Sequence, residues 1–362
     1  MKKIYYITAV FATLFLVGCG DGIDLPGVNV ETDLNKIPLP DNNVNLEQVE
    51  LKPSTEPMLH EGLHTEEDFQ RIRDKKAAGE EPWVSAYQLL VESQFSQKTA
   101  DTYPTEWIKR GVSGDENYMN AARGATIAYQ QALRWKIEQD DEYAAKAVEN
   151  LNKWVQTCVG VTGNTNLSLA AGLYGYEFAI AGELLRDYEG WDRADFAAFQ
   201  NWLLKVFYPA NDDFLKRHHD TNALHYWANW CLCNIAAKMA IGIVTDRRDI
   251  YNEGIDHLQT GDTNGRLRRA IYHDYAPDYN FAQWQESGRD QGHTLMCVGL
   301  MGVICQLAWS QGDDFFAYDD NLFMRACEYA ACCNYTNETV PYTTYIWQKQ
   351  SQWGYPIPEE QT

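Results

Sequence analysis

The stretch LSLAAGLYGYEFAIAGELLRD, residues 167–187, is apolar along most of its length and carries its apolar residues at the spacing of an α-helix. Similar windows fill most of the chain after residue 65, separated by short polar, Gly or Pro segments, and alternation of period two is almost absent. The sequence therefore predicts a mostly helical protein. The predicted helices span 66–78, 82–93, 116–138, 141–158, 167–187, 193–206, 221–244, 247–260, 288–311 and 320–334.

These helices are predicted to form pairs that begin near residues 116, 167, 221 and 288. The irregular spacing of the pairs excludes tetratricopeptide and other short solenoid repeats, which have a fixed period. The segments before 221 and 288 are long and rich in polar and aromatic residues, and long loops on one side of a rigid scaffold commonly carry a binding groove. We therefore expect an all-α fold, an (α/α)-toroid or incomplete α/α barrel of helical hairpins.

The composition limits the class of ligand. Of the 362 residues, 45% are hydrophobic and 22% are charged, which is typical of a folded globular chain and excludes disorder. The formal net charge of -21 argues against nucleic acid and against electrostatic docking on anionic lipid, because both need a basic protein face. The 12 tryptophans and 22 tyrosines supply flat side chains of the kind that line sugar-binding grooves.

The first residues have the pattern of an export signal. Lys2 and Lys3 precede an apolar stretch over 4–18, and LVGC at 16–19 resembles the lipobox of bacterial lipoproteins. Acylation of Cys19 after cleavage would hold the mature chain in the bacterial envelope, at the periplasm or outer membrane, by lipid alone. An ordinary secretory signal is the alternative. Residues 20–58 are predicted to be a flexible tether, and 59–362 a single folded domain.

Eight cysteines follow Cys19, and none of them forms a CxxC pair. The zinc-knuckle and thioredoxin motifs are therefore excluded. Most of these cysteines lie inside apolar helical windows, so we expect buried thiols, although export would permit a disulfide.

A polar stripe interrupts the apolar pattern in NALHYWANW, residues 222–230. Asn222, His225 and Asn229 have the spacing i, i+3, i+7, so the pattern predicts that they share one face of a helix beside Trp230. Polar groups at the mouth of a buried helix need partners, and a cleft would supply them.

A second stripe, ESGRDQGHT at residues 286–294, places Glu286, Arg289 and His293 at the same spacing at the start of another apolar helix. The alternative interpretation is a network of hydrogen bonds at the helix start, centred on Glu286 and Asp290.

The few basic residues cluster near these stripes. Arg266, Arg268 and Arg269 lie within RLRRAIYHDYA, residues 266–276, and a second cluster, KRHH at 216–219, precedes the first stripe. In such an acidic chain, this clustering indicates either a site for a polyanion or a solvated basic face.

NALHYWANW followed by RRAIYHDYA resembles the alginate lyases of the α/α-toroid type. In that family an adjacent Asn and His on one helix, and an Arg and a Tyr in an R-x(6)-Y arrangement, surround the uronate that is cleaved. Arg268 and Tyr275 have the R-x(6)-Y spacing here, whereas Asn222 and His225 are separated by two residues. His219 therefore stays an alternative to His225, and Arg269 an alternative to Arg268.

Four further segments resemble the bacterial lipoprotein members of the broader alginate-lyase-like superfamily, so that the resemblance covers most of residues 60–335. Members extend past the position that corresponds to Thr362, so we expect the toroid to be incomplete there. The four segments are GLHTEEDFQRIR, YQQALRWKIEQDDEYAAKAVENLNKW, NTNLSLAAGLYGYEFAIAGELLR and ESGRDQGHT.

The resemblance implies a monomeric polysaccharide lyase that uses no cofactor or metal and cleaves a 4-linked polyuronate, such as alginate or a glucuronan, by β-elimination. Asn222 with Arg268 or Arg269 would neutralise the uronate carboxylate, and Tyr275 and His225 would exchange protons with the sugar. For Tyr275 to act as a base its pKa should fall, which nearby arginines would favour. The residues expected to contact substrate are Arg269, Arg289, His293, Asn229, Trp230, Asn166 and His219.

Three other classes of protein remain open from the residues alone. A glycoside hydrolase on an α/α barrel would need two carboxylates across the cleft, for which Asp220, Glu286 and Asp290 are candidates. A metal-dependent enzyme would use His218, His219, Asp220 and His225. A lipid-anchored glycan-binding protein would share the helices and aromatic residues but would not need the proton-transfer groups.

Overall fold

The computed structural model of the protein describes residues 57–336, 339–351 and 353–362. The lipobox at Cys19 and nearly all of the predicted tether lie outside these residues. Within the described ranges the chain is mainly helical, and each of the ten predicted helices has a counterpart. Most of them begin and end within a few residues of the expected positions.

The helices and strands are numbered in chain order. The helices are α1 (Glu66–Ala77), α2 (Trp83–Glu92), α3 (Tyr118–Glu138), α4 (Asp141–Thr157), α5 (Asn166–Leu184), α6 (Arg193–Val206), α7 (Tyr208–Arg217), α8 (Ala228–Val244), α9 (Arg248–Thr260), α10 (Leu267–Ala270), α11 (Gln291–Ser310) and α12 (Tyr318–Tyr335). The strands are β1 (Trp107–Arg110), β2 (Gly160–Gly163), β3 (Ile271–Asp274), β4 (Ala282–Trp284), β5 (Tyr345–Trp347) and β6 (Glu359–Gln361).

The helices form an inner and an outer layer of hairpins, which confirms the predicted toroid architecture. In the inner layer α5 packs against α3 and α8, and α8 also packs against α11. Behind them α4, α6, α9 and α12 each pack against the inner helix that precedes them. Nearly every residue of α5 and α8 is buried, as expected for helices that are apolar all round.

The close approach of α5 and α8 depends on a glycine. A Cβ atom added at Gly172 would lie 2.4 Å from Sγ of Cys233, so a larger side chain there would push the two inner helices apart. Helix ends are set by capping side chains. Asp192 accepts a hydrogen bond from the main-chain N–H of Ala194 at the start of α6, and Asp290 accepts one from His293 at the start of α11.

Two parts of the helical prediction were wrong. Helix α7 was not predicted, because Pro209 in FYPAND resembles a break, although proline is well tolerated in the first turn of a helix. Helix α8 begins at Ala228 and not at residue 221. The side chain of Asn222 accepts a hydrogen bond from the main-chain N–H of Leu224, and this local bond favours a turn over a helix.

The short strands pair two by two. β1 pairs in parallel with β2, and β3 and β5 pair antiparallel with β4 and β6. Residues Thr343–Gln350, which include β5, are called the C-terminal strap below. The strap runs over the turn that precedes α8 and over the segment that precedes α11, so it closes the end of the toroid where these helices begin.

The eight described cysteines are all free, and six of them are buried. Helix α11 is long and apolar enough to cross a membrane by length and composition. More than half of it is buried against other helices, which is the usual situation of a core helix in a globular protein.

Candidate active site

The turn before α8 holds the first predicted pair of site residues. The main-chain N–H of His225 donates to the carbonyl of Asn222 at 3.1 Å, which closes the turn. Asn264 donates from its side chain to the carbonyls of Leu224 and Tyr226 at 3.1 and 2.8 Å. Asn222 and His225 therefore lie on a braced turn, and the predicted helical face that they share with Asn229 does not exist.

The start of α8 is capped by the first residue of the second predicted stripe and by the residue before it. Gln285 accepts a hydrogen bond from the main-chain N–H of Ala228 at 3.0 Å, and Glu286 accepts one from Asn229 at 2.9 Å. These N–H groups have no partner within the helix, and a carboxylate is favoured at a helix N-terminus. Glu286 is fully buried, and burial raises its pKa against the opposing influence of Arg289. Glu286 therefore does belong to a helix-start network and pairs with Arg289, but the helix whose start it caps is α8 and not α11, which follows it in the sequence.

Asn229 belongs to the same network. Its side chain donates to Glu286 at 2.7 Å, and only 1% of the residue is exposed. This corrects the expectation that Asn229 contacts substrate, because a buried amide that is already bonded cannot reach a ligand in a groove.

The neighbouring arginines differ in their partners. Arg268 forms ion pairs with Asp319 and, at 3.4 Å, with Asp274, so its charge is neutralised within the protein. Arg269 forms no ion pair with any described carboxylate and donates only to the main-chain carbonyl of Asp262. Burial and the adjacent Arg266 lower the pKa of Arg269, but a guanidinium stays charged at neutral pH. Of the two alternatives, Arg269 is thus the one free to bind an anion.

Arg269 opens onto a pocket between the turn before α8 and the C-terminal strap. The pocket combines a cation, amide groups and aromatic rings, which are the groups that bind a charged sugar. Among its walls, Tyr345 donates a hydrogen bond to the carbonyl of Gln285, and its ring lies 4.7 Å from that of Tyr272. The residues that line the pocket are Leu224, Asn264, Arg269, Tyr272, Gln285, Tyr345, Ile346, Trp347 and Gln348.

Tyr275 lies just after β3, three residues after Tyr272, which lines this pocket. Its hydroxyl donates to Oε1 of Gln283 at 2.5 Å and is 3.1 Å from Oγ1 of Thr343 in the strap. Burial raises the pKa of Tyr275, and no arginine lowers it. This corrects the expectation of a lowered pKa, because the arginines expected to supply the positive field are directed elsewhere. Tyr275 is therefore a neutral phenol at physiological pH.

The histidines near the site have separate partners. His219 bonds to the hydroxyl of Ser168 at 3.0 Å, and His218 is buried with its ring 3.7 Å from Sγ of Cys231. Nδ1 of His225 accepts a hydrogen bond from the main-chain N–H of Gln350 at 2.7 Å. Within the described residues, no group of three His, Cys, Asp or Glu side chains could hold a metal ion.

The remaining predicted contacts are spread around the same end of the toroid. Arg289 pairs with Glu286 at 3.3 Å and lies over the ring of Trp227 at 5.1 Å. His293 bonds to the carboxylate of Asp290 at 2.6 Å. The half-buried Trp230 packs against Tyr226 with 4.8 Å between ring centroids.

At the first residue of α5, Asn166 donates to Asn164 at 2.9 Å. Asp220, one of the carboxylates considered for hydrolysis, pairs with Arg217 at 3.1 Å and is largely exposed.

Sequence reasoning missed Arg110 at the end of β1. Only 8% of this residue is exposed, its guanidinium lies 4.6 Å from the centroid of the Tyr118 ring, and it is 3.5 Å from the hydroxyl of Tyr174. It forms no ion pair within the described part of the chain, which is unusual for a buried cation in so acidic a protein. Next to Lys109 in the segment WIKRGV, this arginine could not be singled out without knowing that β1 packs beside the inner helices.

The structure is that of an α/α-toroid protein with an arginine and several aromatic side chains around a pocket near the start of α8. A family model described as "Alginate lyase" matches residues 72–338, which is most of the chain. The chain therefore belongs to the alginate lyase family and is a polysaccharide lyase by that membership, as the sequence resemblance implied.

Solved structures support the fold. A histidine-to-alanine variant of alginate lyase A1-III complexed with tetrasaccharide is 14% identical, with a TM-score of 0.56 over 76% of this chain and 79% of that chain. Alginate lyase A1-III from Sphingomonas species A1 is 14% identical, with a TM-score of 0.52 over 79% of this chain and 82% of its own.

An alginate lyase from Bacteroides ovatus is also 14% identical, with a TM-score of 0.51, and the match covers 74% of this chain and 81% of that one. No curated protein matches the sequence.

Proposed function

We propose that this protein cleaves a 4-linked polyuronate by β-elimination in the pocket next to Arg269, and so releases oligosaccharides with an unsaturated end. The observation that carries the proposal is the half-buried guanidinium of Arg269, which pairs with none of the described carboxylates in a chain of net charge -21 and opens onto a pocket with aromatic walls. Membership of the family implies an acidic polysaccharide as substrate. The alginate lyases with similar folds support alginate as the first substrate to test.

The first requirement of the reaction is neutralisation of the uronate carboxylate, because the proton at C5 is only weakly acidic while that group is fully charged. We assign this role to Arg269, which replaces Arg268 in the sequence-based proposal. Two further groups can donate to a bound uronate. His225 has a free ring nitrogen next to the strap, and Gln285 has a side-chain amide with no described partner at the pocket wall.

The second requirement is a proton transfer from C5 to O4 of the departing sugar. A neutral Tyr275 can perform both halves of it on the same face of the ring. Its oxygen takes the proton from C5 while its own hydroxyl proton passes to O4, the C4–O4 bond breaks, and a C4–C5 double bond forms. The tyrosine is neutral before and after, so the raised pKa supports this concerted exchange rather than a tyrosinate base.

The hydrolase alternative receives less support. Retaining and inverting glycosidases both need two carboxylates free to act on the glycosidic bond. Glu286 and Asp290 instead cap helices, and Asp220 is paired with Arg217.

The direct test is an incubation with a panel of polyuronates, following the ultraviolet absorbance of the new double bond. We expect absorbance to rise with alginate or a glucuronan, and to rise equally after treatment with a strong chelator. Products with saturated ends would favour hydrolysis, and retention of the polymer without new ends would favour a binding protein.

We further propose that the chain is lipid-anchored through Cys19 and acts as a monomer in the bacterial envelope. The support for the anchor is the lipobox-like LVGC at residues 16–19. Expression in a bacterial host with labelled palmitate should label the wild type but not a Cys19→Ser variant. The molecular mass of the detergent-solubilised protein, measured by light scattering, tests the monomer.

A further inference from the structure

The hydrogen bond between the C-terminal strap and His225 determines which ring nitrogen carries the proton. Its donor is the main-chain N–H of Gln350, 2.7 Å from Nδ1 of His225. A main-chain amide can only donate, so Nδ1 must be the acceptor. A neutral imidazole carries one proton, which is therefore on Nε2. Nε2 makes no hydrogen bond with any described residue and is left as a free donor.

Several other contacts hold the strap on the same turn. The indole N–H of Trp347 donates to the carbonyl of His225 at 2.7 Å. The side chain of Gln350 accepts a hydrogen bond from the main-chain N–H of Asn222 at 2.6 Å. The side chain of Asn222 in turn donates to the carbonyl of Gln348 at 3.0 Å. The strap is thus hydrogen-bonded to both ends of the turn that carries His225. These bonds fix the strap relative to the imidazole ring of His225.

We propose that the C-terminal strap is a positioning element of the active site, which fixes His225 as the Nε2–H tautomer so that this residue donates a hydrogen bond to the uronate and does not act as a base. This inference rests on the proposed lyase function for its substrate, but the tautomer itself does not depend on it. The strap residue Gln350 contacts no reacting atom, and under this proposal it affects catalysis through His225.

The surrounding charges support a neutral ring. Burial lowers the pKa of His225, and Lys349 lowers it further. The ring of His218 lies near the Tyr226 ring that also contacts His225, and burial lowers the pKa of His218 to about 4. Protonation of Nδ1 would also point two N–H groups at each other across the bond to Gln350. A ring that is neutral, with Nδ1 occupied, has no lone pair to offer as a base.

Position 350 provides a matched pair of variants. Gln350→Ala removes the side-chain bond to Asn222 but keeps the main-chain donor. Gln350→Pro also removes the donor, because proline has no N–H. Nitrogen-15 NMR of the full chain, without substrate, reports the tautomer of each histidine, and the signals of His225 are identified by their loss in a His225→Gln variant.

We expect the wild type and Gln350→Ala to show His225 as the Nε2–H tautomer, and Gln350→Pro to show a mixture of tautomers and a pKa closer to the ordinary value. On alginate, kcat of Gln350→Pro should fall about 10- to 100-fold below that of Gln350→Ala, with a smaller change in KM. An Nδ1–H tautomer in the wild type would overturn the proposal, as would equal tautomer populations or equal kcat in the two variants.

If Gln350→Pro does not fold, the tautomer of His225 in the wild type and in Gln350→Ala decides the question. If the side chain of Gln350 fixed the tautomer, and not its main-chain N–H, the tautomer would change in Gln350→Ala. If no polyuronate is cleaved, the lyase function fails, whereas the tautomer measurement still tests the action of the strap on His225.

Discussion

The indole rings of Trp227 and Trp347 stack with 4.2 Å between their centroids and 28° between their planes. One ring belongs to the residue before α8 and the other to the C-terminal strap, 120 positions later in the sequence. The stack fastens the strap beside the pocket, because Trp347 is also one of the residues that line it.

Trp347→Ala should therefore loosen the strap and weaken the site. Loss of an aromatic pair costs about 0.5–1.5 kcal/mol beyond lost burial, which would lower kcat/KM on a polyuronate by up to roughly tenfold. Trp353→Ala is the matched control, since Trp353 is 76% exposed near the tip of the same hairpin. Steady-state kinetics of both variants are the measurement, and equal values would mean that the stack has no part in activity.

Arg268 and Arg269 should respond to alanine substitution in opposite ways. Arg269→Ala should reduce substrate affinity and rate while the protein melts normally, because it removes an unpaired cation. Arg268→Ala should lower the free energy of unfolding by roughly 1.5–3 kcal/mol, because Asp274 and Asp319 lose their charged partner. Urea unfolding and kinetics on alginate separate the two effects. A stable Arg268→Ala enzyme with no activity would restore Arg268 as the residue that binds the uronate.

Tyr275→Phe should reduce kcat by about 10²–10⁴-fold with little change in KM. The substitution keeps the ring and removes only the hydroxyl that exchanges the proton. Tyr272→Phe, in the strand that directly precedes Tyr275, should retain most of the rate. Because burial raises the pKa of Tyr275, the wild-type rate should not decline on the alkaline side until above about pH 10. An alkaline limb near neutrality, or a fully active Phe variant, would contradict the concerted exchange.

Glu286→Gln should destabilise the protein by about 1–3 kcal/mol without changing the chemical nature of the products. An amide oxygen could still accept both bonds from Asn229, but the amide NH2 group would then face the guanidinium of Arg289, which now pairs with Oε2 of Glu286 at 3.3 Å. Mass spectrometry of the products is the decisive measurement. Complete loss of cleavage in a variant that melts normally would indicate that Glu286 acts in the reaction itself.

Three histidines should lower the stability of the protein as the pH falls below 6.5, against the opposite effect of the carboxyl of Glu177, whose pKa burial raises to about 8. Burial lowers the pKa of His64, His218 and His257 to about 4 in the folded chain, against an ordinary value of 6.5. Between these values the unfolded chain binds more protons, so the free energy of unfolding falls as the pH drops from 6.5 towards 4 and is unaffected by these groups above 6.5. Urea unfolding at about pH 7.5 and pH 5 measures the slope, and His257→Gln should make it shallower. A slope unchanged by that substitution would show that His257 does not contribute.

The hairpin architecture could be predicted because the inner helices are long and apolar throughout. A helix such as LSLAAGLYGYEFAIAGELLRD, which is apolar on all sides, must be buried among other helices. The turn at Asn222 could not, because the competition between an Asn side chain and a helical hydrogen bond is decided by tertiary partners such as Asn264. The same limit applies to the strap. Its bonds to His225 join residues 122 and 125 positions apart, and no local pattern in the sequence indicates such a contact.

The resemblance to the family points to one part of the chain for the site, but it could not rank neighbouring residues. Arg268 and Arg269 are equivalent as sequence letters, and only the positions of Asp274 and Asp319 show which charge is already balanced. Arg110 was missed because a charge without an ion-pair partner among the described residues can be recognised only in three dimensions.

The unpaired arginines lie in a protein whose overall charge has the same sign as the proposed substrate. At a distance a polyanion is repelled by the molecule as a whole, and it is attracted only once it comes close to Arg269, since the range of each field is about 10 Å at 0.1 M salt. Added salt should accordingly increase the rate at which the polymer associates with the protein and shorten the lifetime of the bound complex. Turnover would then pass through a maximum at intermediate ionic strength, where polymer chains arrive readily and still remain bound long enough to be cleaved.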